Sequence, residues 1–287
     1  HGSTPERFKS SCRSILLPKD GNRSCTYSCS MVRSNQSSKD LMSFLEIKDL
    51  SKNFGTVKVL DHVTLSVKKG SVIGLVGDNG AGKSTLMKIV TGIHKPSSGS
   101  ILLEDRELTR IPTSEIRLLG IEMIYQDLAL ARQQDISSNI FLGREPVKKL
   151  FGINLGLVDK QKMDKDSMKI IKDLGANVPS VQYQAGLLSG GQQQTIAIAR
   201  ALTFSPKLVI MDEPTAALAV KEVQHVLELI LKLKSEGISV ILISHRLNDI
   251  FEVSDRILVL RQGQIVADEI KAKTSMNQIV SYIVGAE

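Results

Sequence analysis

The sequence has few cysteines, and all three of them, Cys12, Cys25 and Cys29, lie close to its beginning. A disulfide framework or a zinc site would need more cysteines or histidines at ligand spacing. The rest of the chain contains no cysteine, which suits a reducing compartment. Cysteine content therefore excludes a disulfide scaffold and a zinc module.

Long apolar runs are also missing. No run approaches the roughly 20 residues that a membrane-spanning helix needs, and Ile15, Leu16 and Leu17 form too short a stretch for a secretory signal. Residues 1–42 are rich in Ser, Arg and Asn and show no sustained period, so we expect a disordered or non-native N-terminal extension. We expect residues 43–287 to form one soluble domain.

No stripe of basic residues accompanies the formal net charge of +7. Seven basic and three acidic residues lie within 1–41, which leaves 30 basic and 27 acidic residues scattered over the rest of the chain. Surfaces that bind nucleic acid gather Lys and Arg on one face. Charge therefore does not favour a nucleic-acid partner, and we expect none.

Four short apolar runs end on polar residues of the kind that handle nucleoside triphosphates. They are 72–76 before Gly77, 121–125 before Gln126, 208–211 before Asp212, and 240–244 before His245. Short β-branched runs that alternate with helical stretches predict parallel strands. Because open α/β sheets bind ligands at the carboxyl ends of their strands, the four runs predict a single phosphate site.

A glycine-rich loop stands between the first of these strands and a helical run that begins at Thr85. It fits the pattern G-x-x-x-x-G-K-S and consists of Gly77, Asp78, Asn79, Gly80, Ala81, Gly82, Lys83 and Ser84. In this pattern backbone N–H groups wrap the phosphates, the lysine meets the β- and γ-phosphates, and the serine hydroxyl binds Mg²⁺. The alternative is a turn that caps a helix and binds nothing.

Two adjacent carboxylates, Asp212 and Glu213, end the third apolar run. Neighbouring side chains on a strand point differently, so one can hold the Mg²⁺ water shell while the other orients and deprotonates the attacking water. We assign the first role to Asp212 and the second to Glu213. An isolated acidic pair would otherwise be a solvated strand end.

A second pair of glycines precedes the helical run 195–202. Ser189 is placed to cap that helix, and Gly190 and Gly191, followed by Gln192, allow an anion to approach the backbone closely. A plain cap and turn is the alternative for this segment taken alone.

In this order the motifs resemble those of the nucleotide-binding subunit of ABC transporters, and the resemblance covers about residues 43–286. It identifies 77–84 with Walker A, Gln126 with the Q-loop, 188–192 with the signature, 208–213 with Walker B, and His245 with the switch histidine. It implies an α/β fold, the P-loop NTPase of the ABC ATPase type, with a mixed sheet core, a helical subdomain at about 127–188 and a small antiparallel β portion. ATP and Mg²⁺ are the implied cofactors, and Thr85 is implied to bind the nucleotide together with 77–84.

The resemblance also implies individual roles. Phe54 would stack on adenine, although a phenylalanine is more often core filler, and Gln126 and Asp212 would join Ser84 at Mg²⁺. The residues implied in catalysis are Lys83, Gln126, Glu213 and His245, with the histidine bonded to the γ-phosphate.

The signature, Ser189 to Gln192, would act in trans on the P-loop nucleotide of a second copy, which gives a head-to-tail homodimer with two composite sites. One position departs from the family pattern, since Ala219 stands where many members carry an aspartate that links the two sites. Coupling through that carboxylate is not available in this chain.

Several stretches resemble the importers of simple sugars of ribose, fructose or xylose type, in the single-domain form, because each motif occurs once. They are 77–80, 120–126, 141–145, 212–218 with 220–222, and 251–256. A scaffold common to many ABC ATPases is the alternative for them. The sugar itself is not encoded in this subunit.

The resemblance implies an ATPase motor on the cytoplasmic face of the inner membrane that drives sugar import. Its partners would be integral-membrane permease subunits, a second copy of the chain and, indirectly, an extracytoplasmic sugar-binding protein. The alternatives are an ABC ATPase that energises transport of another substrate, or a soluble one that acts on ribosomes or DNA.

Overall fold

A computed structural model describes residues 43–150, 153–216 and 218–286, so the predicted extension 1–42 lies outside the described residues. The strands are β1 (Leu45–Phe54), β2 (Val57–Val67), β3 (Val72–Val76), β4 (Ser98–Leu103), β5 (Arg106–Glu107), β6 (Ile121–Ile124), β7 (Val147–Leu150), β8 (Ile153–Val158), β9 (Leu208–Asp212), β10 (Ser239–Ile243), β11 (Arg256–Arg261) and β12 (Gln264–Ile270). The helices are α1 (Lys83–Val90), α2 (Thr113–Leu118), α3 (Ile136–Phe141), α4 (Lys160–Asp173), α5 (Gly190–Leu202), α6 (Val220–Ser235), α7 (Leu247–Val253) and α8 (Met276–Val284).

A six-stranded mixed sheet forms the centre of the fold, in the order β12-β11-β3-β10-β9-β6. The five strands from β11 to β6 pair in parallel, and β12 adds an antiparallel edge to β11. The four predicted parallel strands are confirmed as β3, β6, β9 and β10, and the strand pair predicted at the end of the chain is confirmed as β11 and β12. The carboxyl ends of the parallel strands meet at one edge, as a phosphate site requires.

Helices and further strands cover both faces of the central sheet. Val72 and Val76 of β3 point into one hydrophobic cluster, whereas Ile73 and Leu75 point into another, because alternate strand residues face opposite sides. The same division holds along β9 and β10. Burial on both faces explains why these strands are continuous apolar runs and not alternating patterns.

An antiparallel sheet of four strands, in the order β2-β1-β4-β5, packs over the second of these clusters. Register shifts interrupt the pairing of β1 with both neighbours, between Ile47 and Leu50 on one side and between Lys48 and Ser51 on the other. Such irregularities bend a strand and increase its twist. Phe54 is the last residue of β1, so this sheet determines where its ring lies.

Helices α3 and α4 lie between β6 and α5 in the chain, in the segment predicted to be helical. Both begin at an aspartate cap: Asp135 accepts a hydrogen bond from Ser138 N–H at 2.7 Å, and Asp159 accepts one from Lys162 N–H at 3.1 Å. The segment also contains the antiparallel hairpin of β7 and β8, which the sequence pattern did not predict. The bounds 127–188 of a helical subdomain stay a prediction.

The longest helix, α6, has 16 residues. No helix within the described ranges is both long and apolar enough to cross a membrane.

Candidate functional site

The glycine-rich loop leaves β3 and ends where α1 begins, and two of its glycines admit no side chain. Gly77 has a φ of +148°, and a Cβ there would lie 1.9 Å from the carbonyl oxygen of Leu260 on β11. Gly82 has a φ of +104°, and a Cβ there would lie 3.0 Å from the carbonyl oxygen of Val59 and 2.7 Å from a methyl carbon of Leu60. Close backbone approach therefore accounts for both glycines, which fix how the loop turns into the helix.

Lys83, the first residue of α1, folds back over this loop. Its Nζ donates hydrogen bonds to the carbonyl oxygens of Gly77 at 2.7 Å and of Asp78 at 2.8 Å. Burial lowers the pKa of Lys83, while the negative charges of Glu213, Asp212 and Asp78 act in the opposite direction. The ammonium group is thus held at the centre of the loop, where an anion would be attracted to it.

Ser84 and Asp212 meet beside the loop, although they come from α1 and from the end of β9. The Ser84 side chain lies near the buried Asp212 carboxylate and acts on its pKa. Burial raises the pKa of Asp212, the Ser84 side chain opposes that rise, and the charge of Glu213 adds to it. The desolvated carboxylate would gain from a cation placed next to it.

The residues present fit a nucleotide with its metal ion. No side chain within the described ranges caps the first turn of α1, so its N–H groups remain available to phosphate oxygens. The oxygens of Ser84 and Asp212 are hard ligands, which Mg²⁺ prefers. No group of three or more His, Cys, Asp or Glu that could hold a metal occurs among the described residues, and Mg²⁺ in phosphate sites uses few protein ligands because the phosphates supply the others.

Glu213 and His245 stand side by side at the ends of β9 and β10. His245 Nδ1 lies 3.2 Å from Glu213 Oε2, and the histidine is the more exposed of the two. Glu213 adopts a left-handed backbone conformation with a φ of +50°, and its N–H donates to the carbonyl oxygen of Ile243 at 2.9 Å. A non-glycine residue in this region is strained. Because Glu213 does not have extended backbone, its carboxylate does not follow the alternating side-chain directions of β9.

Phe54 presents a partly exposed ring near the start of the fold, with 43% of its surface exposed. The ring meets His94 edge-on at a centroid distance of 5.4 Å, and Lys52 Nζ lies 4.7 Å from its centre. The ring is not core filler, which was the alternative interpretation. His94 is a neighbour that sequence reasoning did not select, since no motif surrounds it.

Gln126 lies exposed just after β6, and its side chain makes no hydrogen bond to any described residue. The structure therefore does not bring it to Ser84 or Asp212 through a protein contact.

The loop that follows Gln126 is bonded to a residue of helix α5. Arg200 of α5 donates from Nη2 to the Leu128 carbonyl and from Nη1 to the Ala129 carbonyl, both at 2.7 Å.

Leu128 and Ala129 have φ angles of +57° and +45°, so Arg200 binds two consecutive strained residues. Burial lowers the pKa of Arg200, and the charge of Arg117 lowers it further. Arg200 lies inside an ordinary helical run, and nothing in its sequence context distinguishes it from a surface arginine. Sequence reasoning therefore missed it.

The signature residues begin α5, as predicted for a cap. Ser189 Oγ accepts from Gln192 N–H at 3.3 Å, and Gln192 Oε1 accepts from Ser189 N–H at 3.0 Å, which forms a reciprocal capping box. Gly190 and Gly191 form the first turn. No hydrogen bond or ion pair among the described residues joins this segment to residues 77–84. Within one chain the predicted site thus has two separate parts. The first is the phosphate loop with the residues around it, and the second is the signature at the start of α5.

The fold and the first of these parts define a P-loop nucleotide-binding protein. A family model described as "ABC transporter" matches residues 60–216. The xylose/arabinose import ATP-binding protein XylG of Sulfolobus acidocaldarius is 45% identical over 239 residues, which cover 83% of this chain and 93% of that protein. The chain belongs to the ABC transporter family, as an ATP-binding cassette.

Other relatives are longer than this chain. The galactose/methyl galactoside import ATP-binding protein MglA of Clostridium perfringens is 41% identical over 87% of this chain and 47% of its own length. The ribose import ATP-binding protein RbsA of Chromobacterium violaceum is 40% identical over 84% of this chain and 47% of its own length. The chain therefore spans about half the length of these two relatives.

Solved structures agree with the family. A nucleotide-free ATP-binding cassette from an ABC transporter superposes with a TM-score of 0.73 at 30% identity, over 85% of this chain and 96% of that one. A dimeric, post-hydrolysis cassette, MJ0796 bound to ADP and Pi, superposes with a TM-score of 0.68 at 25% identity, over 79% of this chain and 98% of that one. The predicted ABC ATPase fold is confirmed.

Proposed function

We propose that this chain is the ATP-hydrolysing subunit of an importer of a simple sugar. The observation that carries the proposal is the 45% identity with a xylose/arabinose import ATP-binding protein over 93% of that protein. The phosphate loop, the buried Asp212 beside Ser84, and the adjacent Glu213 support hydrolysis as the chemistry of the site. Hydrolysis would supply the energy for transport.

Catalysis rests on positioning and charge, as is general for phosphoryl transfer. Lys83 would bind the β- and γ-phosphates, and for this its ammonium must exchange the two loop carbonyls for phosphate oxygens. Glu213 would take the proton of the attacking water. His245 would donate a hydrogen bond to the γ-phosphate, and its contact with Glu213 keeps the two groups together.

The remaining predicted residues complete the nucleotide site. Ser84, Asp212 and Gln126 would hold Mg²⁺, which neutralises phosphate charge when bound. Gln126 lies exposed just after β6, and its side chain has no hydrogen-bond partner among the described residues that would hold it away from the metal. Phe54 would stack on adenine with the exposed part of its ring.

The signature would complete the site of a second copy. Ser189, Gly190, Gly191 and Gln192 lie at the start of α5, and no hydrogen bond or ion pair among the described residues joins them to their own phosphate loop, so a γ-phosphate would reach them from a partner chain. A solved cassette of this fold bound to ADP and Pi is dimeric, which supports a dimer here. We propose a head-to-tail homodimer with two composite sites.

We further propose that the dimer binds integral-membrane permease subunits at the cytoplasmic face of the membrane, and that an extracytoplasmic sugar-binding protein delivers the substrate. Closing of the dimer on ATP and opening after hydrolysis would then drive the permease. The sugar would be selected by the permease and the binding protein, and not by this chain.

The test is to purify the tagged chain from detergent-solubilised membranes of its native host and identify what accompanies it. A permease together with a solute-binding protein for a pentose or hexose is the expected result. The sugar is then identified by binding of candidate sugars to that solute-binding protein. Recovery of only ribosomal or DNA-associated proteins would contradict the transport function while leaving the ATPase chemistry intact.

A further inference from the structure

Glu222, in the first turn of α6, joins the beginnings of two helices. Its Oε1 accepts hydrogen bonds from the Ser189 hydroxyl at 3.0 Å and from Gly191 N–H at 3.1 Å, both at the start of α5. Its Oε2 accepts from Ala219 N–H at 3.2 Å, at the start of its own helix. A single carboxylate therefore ties the signature to the segment that follows Walker B.

These contacts exceed those of an ordinary helix cap. A capping glutamate in the third position reaches back to the cap residue, and here that half of the arrangement is present at Ala219. The reciprocal half is not possible, because alanine has no side-chain oxygen. The other oxygen of Glu222 accepts hydrogen bonds from α5 and none from its own helix among the described residues.

The glycine at position 191 leaves room for this carboxylate. A Cβ at Gly191 would lie 2.7 Å from the Cγ, Cδ and Oε1 atoms of Glu222, closer than real Cβ contacts. At Gly190 a Cβ would meet only a methyl carbon of Leu218, at 3.2 Å. Of the two signature glycines, Gly191 is thus the one that admits the carboxylate, and the same opening would admit a phosphate oxygen.

The carboxylate is ionised and occupies both signature donors. The N–H of Ala219 and the Ser189 hydroxyl, together with Gly191 N–H, hold the pKa of Glu222 below its ordinary value. A serine hydroxyl carries a single proton, so while Ser189 donates to Glu222 it cannot donate to a second anion. The Gly191 N–H is engaged in the same way.

We propose that Glu222 is a positioning residue that holds Ser189 and Gly191 in the separated subunit and must release them to the γ-phosphate of ATP bound on a second copy. This inference rests on the composite site proposed above. Because a carboxylate and a phosphate repel each other, Glu222 raises the ATP concentration at which two copies close. The γ-phosphate is still required for closure without Glu222, but at a lower ATP concentration.

The test measures ATP-dependent dimerisation by sedimentation velocity in the full chain carrying Glu213→Gln, which should bind ATP without turning it over. The ATP concentration at half-maximal dimerisation is compared with and without Glu222→Gln. The glutamine is isosteric and keeps an acceptor oxygen but loses the charge. We expect the midpoint to fall about tenfold, the change that follows from removing one close like-charge contact.

Glu228→Gln in the same background is the matched control, since Glu228 lies exposed on the same helix and has no partner among the described residues. Its midpoint should equal that of Glu213→Gln alone. Ser189→Ala added to Glu222→Gln should remove most of the gain, because the released hydroxyl is then missing. Thermal unfolding of each variant checks that it is folded.

A midpoint that stays unchanged or rises in the Glu222→Gln variant overturns the inference, and a lower melting temperature alone would mark Glu222 as a cap of α6 only. Failure of the proposed function looks different. If the Glu213→Gln chain does not dimerise at any ATP concentration, the composite site is wrong and the inference falls with it. Dimerisation of the Glu222→Gln chain without ATP would also contradict the account, because closure would not need the γ-phosphate.

Discussion

Nδ1 of His245 lies 3.2 Å from Oε2 of Glu213, and this contact joins the ends of two neighbouring parallel strands. The backbone of Glu213 is left-handed, and its N–H is bonded to the carbonyl of Ile243 on the adjacent strand. The strain of such a conformation, about 1–3 kcal/mol, is sustained by the surrounding sheet. The pair is held in place by the fold before any nucleotide arrives.

The turn from β3 into the phosphate loop should not tolerate a side chain. In Gly77→Ala the new Cβ would lie 1.9 Å from the Leu260 carbonyl oxygen at a φ of +148°, so the backbone of β3 or β11 must shift. We expect a loss of more than about 3 kcal/mol in the free energy of unfolding, measured by urea denaturation, or no soluble protein.

Gly80→Ala is the matched variant in the same loop. Gly80 has a φ of +81°, but nothing lies within 4 Å of a Cβ built there. The cost should be limited to backbone strain of about 1–2 kcal/mol. Equal losses for the two variants would show that the contact with Leu260 is not what requires glycine at position 77.

Asp212→Asn should stabilise the nucleotide-free protein while abolishing hydrolysis. Burial raises the pKa of Asp212, so its charged form is disfavoured in the folded chain, and an isosteric amide removes that cost. We expect a gain of about 0.5–2 kcal/mol, read as a higher melting temperature at neutral pH without Mg²⁺ or ATP.

The gain should depend on pH. Because the pKa of Asp212 is higher in the folded than in the unfolded chain, the wild-type penalty is absent below the unfolded value and grows as pH rises through the folded one. The two melting temperatures should therefore converge as pH falls to the ordinary carboxyl range. A difference that persisted unchanged at low pH would show that burial of the charge is not its cause.

Arg200→Lys should loosen the loop after Gln126. The guanidinium donates one hydrogen bond to each of the carbonyls of Leu128 and Ala129. A lysine has a compact ammonium group and lacks the two fixed, parallel donors that reach both carbonyls. We expect a loss of about 1.5–3 kcal/mol in urea denaturation, and a fall in kcat that exceeds the change in ATP affinity.

Arg110→Lys is the control for that variant, since Arg110 is exposed and has no partner among the described residues. It should leave both stability and kcat unchanged. If Arg200→Lys behaves like Arg110→Lys, the contact between α5 and the loop does not support the site.

The central sheet was predictable because its strands are buried on both faces and end on motif residues. The runs 72–76 and 208–211 are uninterrupted apolar stretches, which is the pattern that predicts a strand buried on both faces. Strand β3 coincides with the first run, and β9 extends one residue beyond the second. The hairpin of β7 and β8 was not predictable in this way. Its two strands pair only with each other among the described strands, and β7 has just four residues, of which the middle two are lysines.

The site was predictable where residue type determines the chemistry. Gly77, Lys83, Ser84 and Asp212 are recognised by pattern, and their contacts depend on neighbouring strands that the pattern also locates. Glu222 and Arg200 act across elements far apart in sequence. Their partners are main-chain groups and a hydroxyl, which leave no residue pattern to read.

The measurement that tests the account most directly is Mg²⁺-dependent release of phosphate from ATP by the purified chain and by its Glu213→Gln variant, alongside ATP binding by both. We expect the two proteins to bind ATP comparably and the variant to lose about 10²- to 10⁴-fold in rate, the contribution of a general base. Undiminished turnover in the variant would contradict the assignment of Glu213, and failure of the unaltered chain to bind ATP would contradict the site as a whole.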